Sequence, residues 1–326
     1  MKGLRVTRRG LAAAAMGTFA APHLAHAAWP ERPLQLIVPF AAGGGTDISA
    51  RTMAQFLERE LGQPVVVQNR PGAGGEIGLS AIADARPDGY TMLMTTISAS
   101  AVVPPLMNPP PFDIYRDQVA VVHAATVPLV AVVPPNAPSA TMRDLIERAR
   151  REPGVLNYSS SGVATQQHLA AELLSSAAGV RMTHVPFRGT GQAVNEILAG
   201  RIDLAIDTLP TYLPHIRAGR VRALAVTLPQ RVEWLPDVPT VAELGFPGFD
   251  ANVWYMLMGP PGLPTPIAER WVAAVNKAFA DPTIRQRVRD AGFLIGGGSQ
   301  ADAAAMLKND AERYAALVRG ANIKLD

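Results

Sequence analysis

The sequence contains no cysteine among its 326 residues. It therefore has no disulfide bond, no thiolate nucleophile, and no cysteine ligands for an iron–sulfur cluster or a zinc ion. After residue 27, no apolar run approaches the roughly 18 residues of a membrane-spanning helix. Charged residues make up only 17% of the chain, but hydrophobic residues reach 48%, which predicts a folded protein rather than a disordered one.

The common catalytic and metal-binding motifs are also missing. The chain has no G-x-S-x-G nucleophile motif, no Gly-Lys dipeptide for a Walker A loop, and no H-E-x-x-H zinc motif. Beyond residue 27, none of the histidines has metal-motif spacing: His123, His168, His184 and His215. We therefore expect no metal, no cofactor and no catalysis. The alternative is an extracytoplasmic hydrolase that uses His168 or His184 beside Ser161.

The first 27 residues have the three parts of a secretory signal. A basic segment (residues 1–9) precedes a short apolar run (residues 10–21) and the small-residue cleavage site Ala25-His26-Ala27. We predict cleavage after Ala27 and a periplasmic location. Arg8 and Arg9 are compatible with either the twin-arginine or the general secretory route. Without the four basic residues of this segment, 26 basic residues face 27 acidic ones, so we expect no nucleic-acid binding.

Strand-like and helix-like segments alternate along the rest of the chain, which is typical of an α/β fold. The predicted helices include residues 166–178 and 213–218. The 29 prolines predict many short elements and exclude a coiled coil. The length predicts two domains. A strand near residue 254 is followed by three helices that need a sheet to cover. We therefore predict one discontinuous domain, residues 28–130 plus 251–326, and one continuous domain, residues 131–250.

Three loops between a strand and a helix are rich in glycine or hydroxyl residues: residues 41–47, 71–75 and 159–165. Such loops expose backbone N–H groups, and the helix N-terminus adds partial positive charge, so each loop suits an anion. None has the G-x-G-x-x-G spacing of a dinucleotide site. Because ligands bind at the C-terminal ends of strands in open α/β sheets, we expect a cleft that closes on a small oxyanion.

Five motifs occur in order: IVPFAAGGGTD at residues 37–47, VQNRPGAGG at 67–75, PDGYT at 87–91, HVPFRG at 184–189 and LPDVPT at 235–240. With them the sequence resembles the Bug receptors, the extracytoplasmic solute receptors of tripartite tricarboxylate transporters. The resemblance implies a two-domain periplasmic-binding-protein (Venus flytrap) fold with the ligand cleft between its domains. It also implies capture of a small carboxylate or related solute for membrane transporter subunits. The alternative partner is a signalling sensor, and we expect a monomer.

Carried over by position, the resemblance implies that backbone N–H groups and hydroxyls, rather than an arginine clamp, hold the ligand. The implied ligand-binding residues are Phe40, Ala42, Gly44 and Asp47 in the first domain, and Ser161, Thr165, Phe187 and Asp207 in the second. Thr46, which can cap the helix after the first glycine loop, and Ser98, which follows a predicted strand, are further candidates.

The sequence departs from the family pattern at four positions. Val103 and Ser100 stand where asparagine and histidine are common, and Ala164 and Met256 stand where glycine is common. We expect these residues to make part of the binding-site wall more apolar and bulkier. The resemblance therefore does not imply specificity for tricarboxylates.

Overall fold

The computed structural model describes residues 29–106, 110 and 112–320. The predicted signal segment, residues 1–27, lies outside the described residues. Strands and helices alternate along the chain, as the sequence predicts. No helix in the described part of the chain has the length and apolar character needed to cross a membrane.

The elements fall into three stretches of the chain. The first stretch contains β1 (Leu34–Val38), α1 (Gly45–Leu61), β2 (Val65–Asn69), α2 (Glu76–Ala83), β3 (Thr91–Thr96) and β4 (Val119–Val133). The second contains α3 (Met142–Arg151), β5 (Asn157–Ser160), α4 (Gln166–Ala178), β6 (Thr183–Pro186), α5 (Thr190–Leu198), β7 (Leu204–Thr208), α6 (Leu209–Arg217) and β8 (Arg222–Val226). The third contains β9 (Asn252–Gly259), α7 (Thr265–Ala280), α8 (Pro282–Asp290), β10 (Leu294–Gly297) and α9 (Gln300–Gly320).

Two groups of strands share the long strand β4. In the first group the order is β2-β1-β3-β9-β4, and β10 also pairs with β4. In the second group the order is β4-β7-β5-β6, and β8 also pairs with β4. The outer pairs in each group are parallel, whereas every pairing to β4 or β9 is antiparallel. The chain thus builds two α/β units around one common strand.

Strand β4 passes from one unit to the other at Pro128. Residues 119–128 pair with β9, and residues 129–133 pair with β7 and β8. Proline has no backbone N–H to donate, so the ladder is interrupted where the strand changes partners. The second connection between the units runs from β8 to β9. The buried hydroxyl of Thr227 lies against both connections, because it contacts the carbonyl oxygens of Leu129 and Ala251.

The first sheet buries apolar side chains on both faces. On β1, Leu36 and Val38 face the helices α1 and α7, and Ile37 faces α2 and α9. This is the two-residue alternation expected of a strand that is covered on both sides. The chain after β9 therefore packs on the first sheet, where Trp254 Nε1 also donates a hydrogen bond to Asp310 of α9 at 2.8 Å.

Candidate ligand-binding site

Four helices begin next to one another between the two units, each shortly after the end of a strand. The residues that precede their first turns are Gly44 for α1, Thr165 for α4, Gly189 for α5 and Thr208 for α6. The first N–H groups of a helix have no partner within the helix and carry partial positive charge. None of these four starts is capped by the side chain of the residue that precedes it.

The helix starts surround a small cavity in this closed form of the protein. It is lined by Phe40, Gly44, Gly45, Thr46, Thr96, Ser98, Ser161, Gln167, Thr190, Thr208, Val253 and Tyr255. None of these lining residues carries a charge at neutral pH. The polar groups of the wall are instead hydroxyls, one amide and backbone N–H groups, which can hold an anion without a counter-charge.

The start of α1 requires glycine at position 45. A Cβ atom there would collide with the hydroxyl of Tyr255 and would lie 2.8 Å from Oγ1 of Thr208. Tyr255 lies opposite Thr96 in the pairing of β3 with β9, which places both at the cavity. The absence of a side chain at Gly45 therefore lets the N-terminus of α1 approach the opposite unit.

The two units touch each other across the cavity. Ser98 Oγ accepts a hydrogen bond from the backbone N–H of Gln166 at 2.7 Å. A Cβ on Gly191 would lie 2.7 Å from the carbonyl oxygen of Ala42, so glycine also permits close approach here. The cleft is therefore closed in this structure, and one hydroxyl from the first unit already satisfies the start of α4.

Asp47 fixes the loop that precedes α1. Its carboxylate accepts hydrogen bonds from the backbone N–H of Gly43, from Arg51 and from the amide of Asn69, all within 3.0 Å. Asn69 also donates to the carbonyl oxygen of Phe40 at 3.0 Å. Burial of Asp47 opposes ionisation, but these hydrogen bonds and Arg51 outweigh it and lower the pKa of the carboxyl.

Asp207 lies at the end of β7, directly behind the cavity wall. Its side chain is completely buried, and Oδ1 accepts hydrogen bonds from Gln167 Nε2 and Thr190 Oγ1, both at 2.9 Å. Oδ1 also accepts from the backbone N–H of Thr208 at 2.6 Å. Burial raises the pKa of Asp207 to about 6, although these hydrogen bonds oppose the rise.

Known proteins match this chain over most of its length. A family model described as the tripartite tricarboxylate transporter family receptor matches residues 49–323. The chain belongs to this family. The receptor is 37% identical over 298 residues to the protein BugT of Bordetella pertussis, an alignment that covers 91% of each chain.

Two solved structures resemble the receptor closely. One is the R. palustris protein Rpa4515 with adipate, which is 33% identical with a TM-score of 0.88, over 91% of this chain and 99% of that one. The other is the periplasmic binding protein BugD, which is 32% identical with a TM-score of 0.86, over 91% and 99% of the two chains. The predicted two-domain periplasmic-binding-protein fold is thereby confirmed. Members of this family are solute-binding receptors, so the expectation of a protein that is not an enzyme is also confirmed.

Five of the ten predicted site residues line the cavity of the receptor, and five do not. Those on the wall are Phe40, Gly44, Thr46, Ser98 and Ser161. Those off the wall are Ala42, Asp47, Thr165, Phe187 and Asp207. Among the latter, the Thr165 hydroxyl donates to the carbonyl oxygen of Gly162 at 2.7 Å and does not cap α4. Whether any of the ten contacts a solute stays a prediction.

Seven lining residues were not predicted from the sequence: Gly45, Thr96, Gln167, Thr190, Thr208, Val253 and Tyr255. Thr96 and Thr208 end strands, and Gln167 and Thr190 lie in the first turn of helices, so the strand-end rule could have found all four. Val253 and Tyr255 lie within the apolar pattern of β9. Only the sheet topology brings them to the cavity.

None of the four departures from the family pattern lies on the wall of this cavity, so their effect on the binding-site wall stays a prediction. Ser100 is buried and exchanges hydrogen bonds with Thr95 and Gln118. Val103 packs beside Gly74. Met256 is buried in the sheet core, and Ala164 has a positive φ of 56°. That backbone conformation explains why glycine suits position 164.

The histidines singled out for the hydrolase alternative form a stacked pair inside the second unit. The rings of His168 and His184 lie 3.9 Å apart and nearly parallel. His184 Nε2 is hydrogen-bonded at 2.6 Å to Ser160, which is completely buried, and not to Ser161. Burial lowers the pKa of both histidines to about 4, so both rings are neutral at pH 7. Within the described residues, no cluster of histidine and carboxylate groups could hold a metal ion.

Proposed function

We propose that the receptor captures a small organic acid, or a related solute, in the cleft between its two units. The observation that carries this proposal is the cavity itself, at which four helix starts meet and no charged side chain lines the wall. Helix N-termini and hydroxyls bind anions well in a site shielded from water. The adipate in the related R. palustris structure supports a carboxylate as the ligand.

The captured solute would then pass to membrane transporter subunits of the tripartite type. Family membership supports this step, and it also supports a periplasmic location. Export would follow removal of residues 1–27, by the twin-arginine or the general secretory route. Intact-mass measurement of protein from the periplasm should show the chain beginning at Ala28, and retention of Met1 would contradict the export proposal.

The domains proposed for this mechanism are residues 28–130 plus 251–326 and residues 131–250. The paired connections at Pro128 and Ala251 support a hinge between them, because only these segments join the two sheets in the described residues. A membrane carrier would read the closed form of a monomer. A signalling sensor could read the same form, and affinity capture from membranes would separate the two partners.

A thermal-shift screen of organic acids, amino acids and aromatic acids tests the proposed capture. A ligand at 100 times its dissociation constant should stabilise the protein by about 2.7 kcal/mol. Thr46→Val, which removes a cavity hydroxyl, should weaken binding of any acid found by roughly tenfold or more. Thr52→Val in the same helix is the matched control, since Thr52 does not line the cavity. Equal effects of the two variants would contradict the site, and no stabilisation by any acid would contradict the function.

A further inference from the structure

The second unit contains a buried carboxylate, Asp207, next to the starts of α5 and α6. Asp207 takes hydrogen bonds from Thr190, at the start of α5, and from the backbone N–H of Thr208, at the start of α6. Asp207 thus engages one side chain in the first turn of α5 and the N–H of the residue that precedes α6. The start of α4 is also engaged, because the N–H of Gln166 donates to Ser98. The first turn of α1 places Gly45 and Thr46 on the cavity wall, and within the described residues their backbone N–H groups have no hydrogen-bond partner.

The hydrogen bonds to Asp207 determine what the cavity wall offers to a solute. A threonine hydroxyl has one proton, and Thr190 donates it to Asp207 at 2.9 Å. Thr190 Oγ1 can therefore only accept a further hydrogen bond. Gln167 directs Nε2 at the same carboxylate, which fixes its amide orientation and leaves Oε1 as its acceptor. Around Thr190 and Gln167, the wall is consequently rich in acceptors.

Within the described residues, no cationic group hydrogen-bonds to Asp207. Its partners are one amide, one hydroxyl and one backbone N–H, and its second oxygen, Oδ2, has none. Burial raises the pKa of Asp207 to about 6, so the carboxyl is ionised at pH 8. A second carboxylate ion placed at Thr190 would face lone pairs and a buried negative charge. A hydroxyl, amine or carboxamide would instead donate to those lone pairs.

We infer that the cleft selects an organic acid with a single carboxylate ion at the start of α1 and a hydrogen-bond donor at Thr190 and Gln167. The donor is a hydroxyl, an amine or a carboxamide, and a dicarboxylate dianion of the same length is disfavoured. The inference rests on the proposed capture of organic acids and narrows it to one class. Asp207 acts in it as a positioning residue that orients the two side chains.

Matched pairs of ligands test this selection at pH 8. The probes are succinate with succinamate, glutarate with glutaramate, and adipate with adipamate, titrated calorimetrically into the wild-type protein. For the pair whose length fits, we expect the monoamide to bind about tenfold or more tightly than the diacid, because it makes a hydrogen bond that the diacid cannot make. Equal or tighter binding of the diacid overturns the inference while the proposed capture stands. If none of the six probes binds, and no acid in the wider screen binds, the proposed capture itself fails.

Asp207→Asn provides the second arm, because it removes the charge and keeps the size of the side chain. The preference for the monoamide should fall toward equality or reverse. Asp237→Asn, which replaces an exposed aspartate of the second unit, is the control and should leave the preference unchanged. An unchanged preference in Asp207→Asn overturns the positioning role. If this variant does not fold, the wild-type comparison alone decides the inference.

Discussion

At Gly45, the first turn of α1 passes so close to its neighbours that a single methyl group decides whether the site can form. The Cβ of Gly45→Ala would collide with Tyr255 and crowd Thr208. We expect a loss of about 1–3 kcal/mol in the free energy of unfolding, as for overpacked cores. Gly44→Ala is the control, because its Cβ would meet no atom closer than 3.7 Å and its φ is −82°. Urea unfolding measures both variants, and similar losses in the two would contradict the predicted collision.

Thr165 provides the opposite case, a conspicuous hydroxyl residue that does not line the cavity. Its only hydrogen bond as a donor goes to the carbonyl oxygen of Gly162, within the loop before α4. We expect Thr165→Val to lower the free energy of unfolding by about 1 kcal/mol, because one buried hydrogen bond is lost. Affinity for an acid found by the screen should stay within about twofold. A larger loss of affinity, measured by calorimetry on the folded variant, would place Thr165 at the solute.

The sequence predicted which loops form the site, but it could not predict which of their side chains point into the cavity. Asp47 and Thr165 belong to the predicted loops, but neither lines the cavity. Asp47 accepts a hydrogen bond from the backbone N–H of Gly43 in its own loop, and Thr165 donates one to the carbonyl oxygen of Gly162 in its own loop. The direction of each side chain depends on φ and ψ at the surrounding glycines and on which strands pair. Tyr255 shows the limit most clearly, because nothing in the apolar pattern of β9 distinguishes it from its buried neighbours. Its place opposite Thr96 follows from pairing between strands that are distant in sequence.

Among the elements, those with strong local signals were predicted well. Helix α4 has the predicted bounds, Gln166–Ala178, and it ends at Gly179 with a positive φ of 63°. Helix α6 begins earlier than predicted, at Leu209, because Pro210 falls in the first turn, where a missing N–H costs no hydrogen bond. Strand β10 was missed, since its four residues end in two glycines and it is defined by pairing with β4. The segment forms a strand because it pairs with β4, and its own sequence carries no strand signal.

The stacked pair formed by α4 and β6 should make stability depend on pH. Burial lowers the pKa values of His168 and His184 to about 4, and at His184 the neighbouring His168 ring lowers the pKa further. Glu172 opposes the shift at His184. The pKa of an unfolded histidine is about 6.5, so the unfolded chain binds protons first as the pH falls. The stability that the pair contributes is complete above pH 6.5 and is lost as the pH falls through 4.

Between these values each histidine should reduce the free energy of unfolding by about 1.4 kcal/mol per pH unit. Urea unfolding at a series of pH values gives this slope, and His168→Gln should make it shallower. His215→Gln is the comparison, because His215 lies near the end of α6 outside the pair. Partial burial and Arg220 also lower its pKa, so this variant should change the slope less. A slope unchanged by His168→Gln would show that the loss at low pH arises from other groups.

At the scale of the whole molecule, the two units are joined by two chain connections and touch each other across the cleft. This arrangement allows the molecule to open and close. Closure in this structure brings Ser98 of the first unit to the start of α4 in the second. Elsewhere between the units, Glu233 and Trp234 of the second contact Arg289 of α8 in the first. Among the described tryptophans, Trp234 alone forms a side-chain hydrogen bond between the units, to the carbonyl oxygen of Arg289. The other three form their side-chain hydrogen bonds within the first unit: Trp29, Trp254 and Trp271.

Ligand binding should therefore shift the population from open to closed molecules, because the helix starts reach a common solute only when the units approach. Small-angle scattering should show a smaller radius of gyration when a saturating acid is added. The fluorescence of Trp234 should change in parallel, since its indole N–H gains the contact with Arg289 as the units close. In Trp234→Phe the scattering change should persist, and most of the fluorescence change should disappear. Trp254→Phe is the control and should retain the fluorescence change. An unchanged scattering profile at saturating ligand, with binding confirmed by calorimetry, would mean that the solute enters a cleft that is already closed.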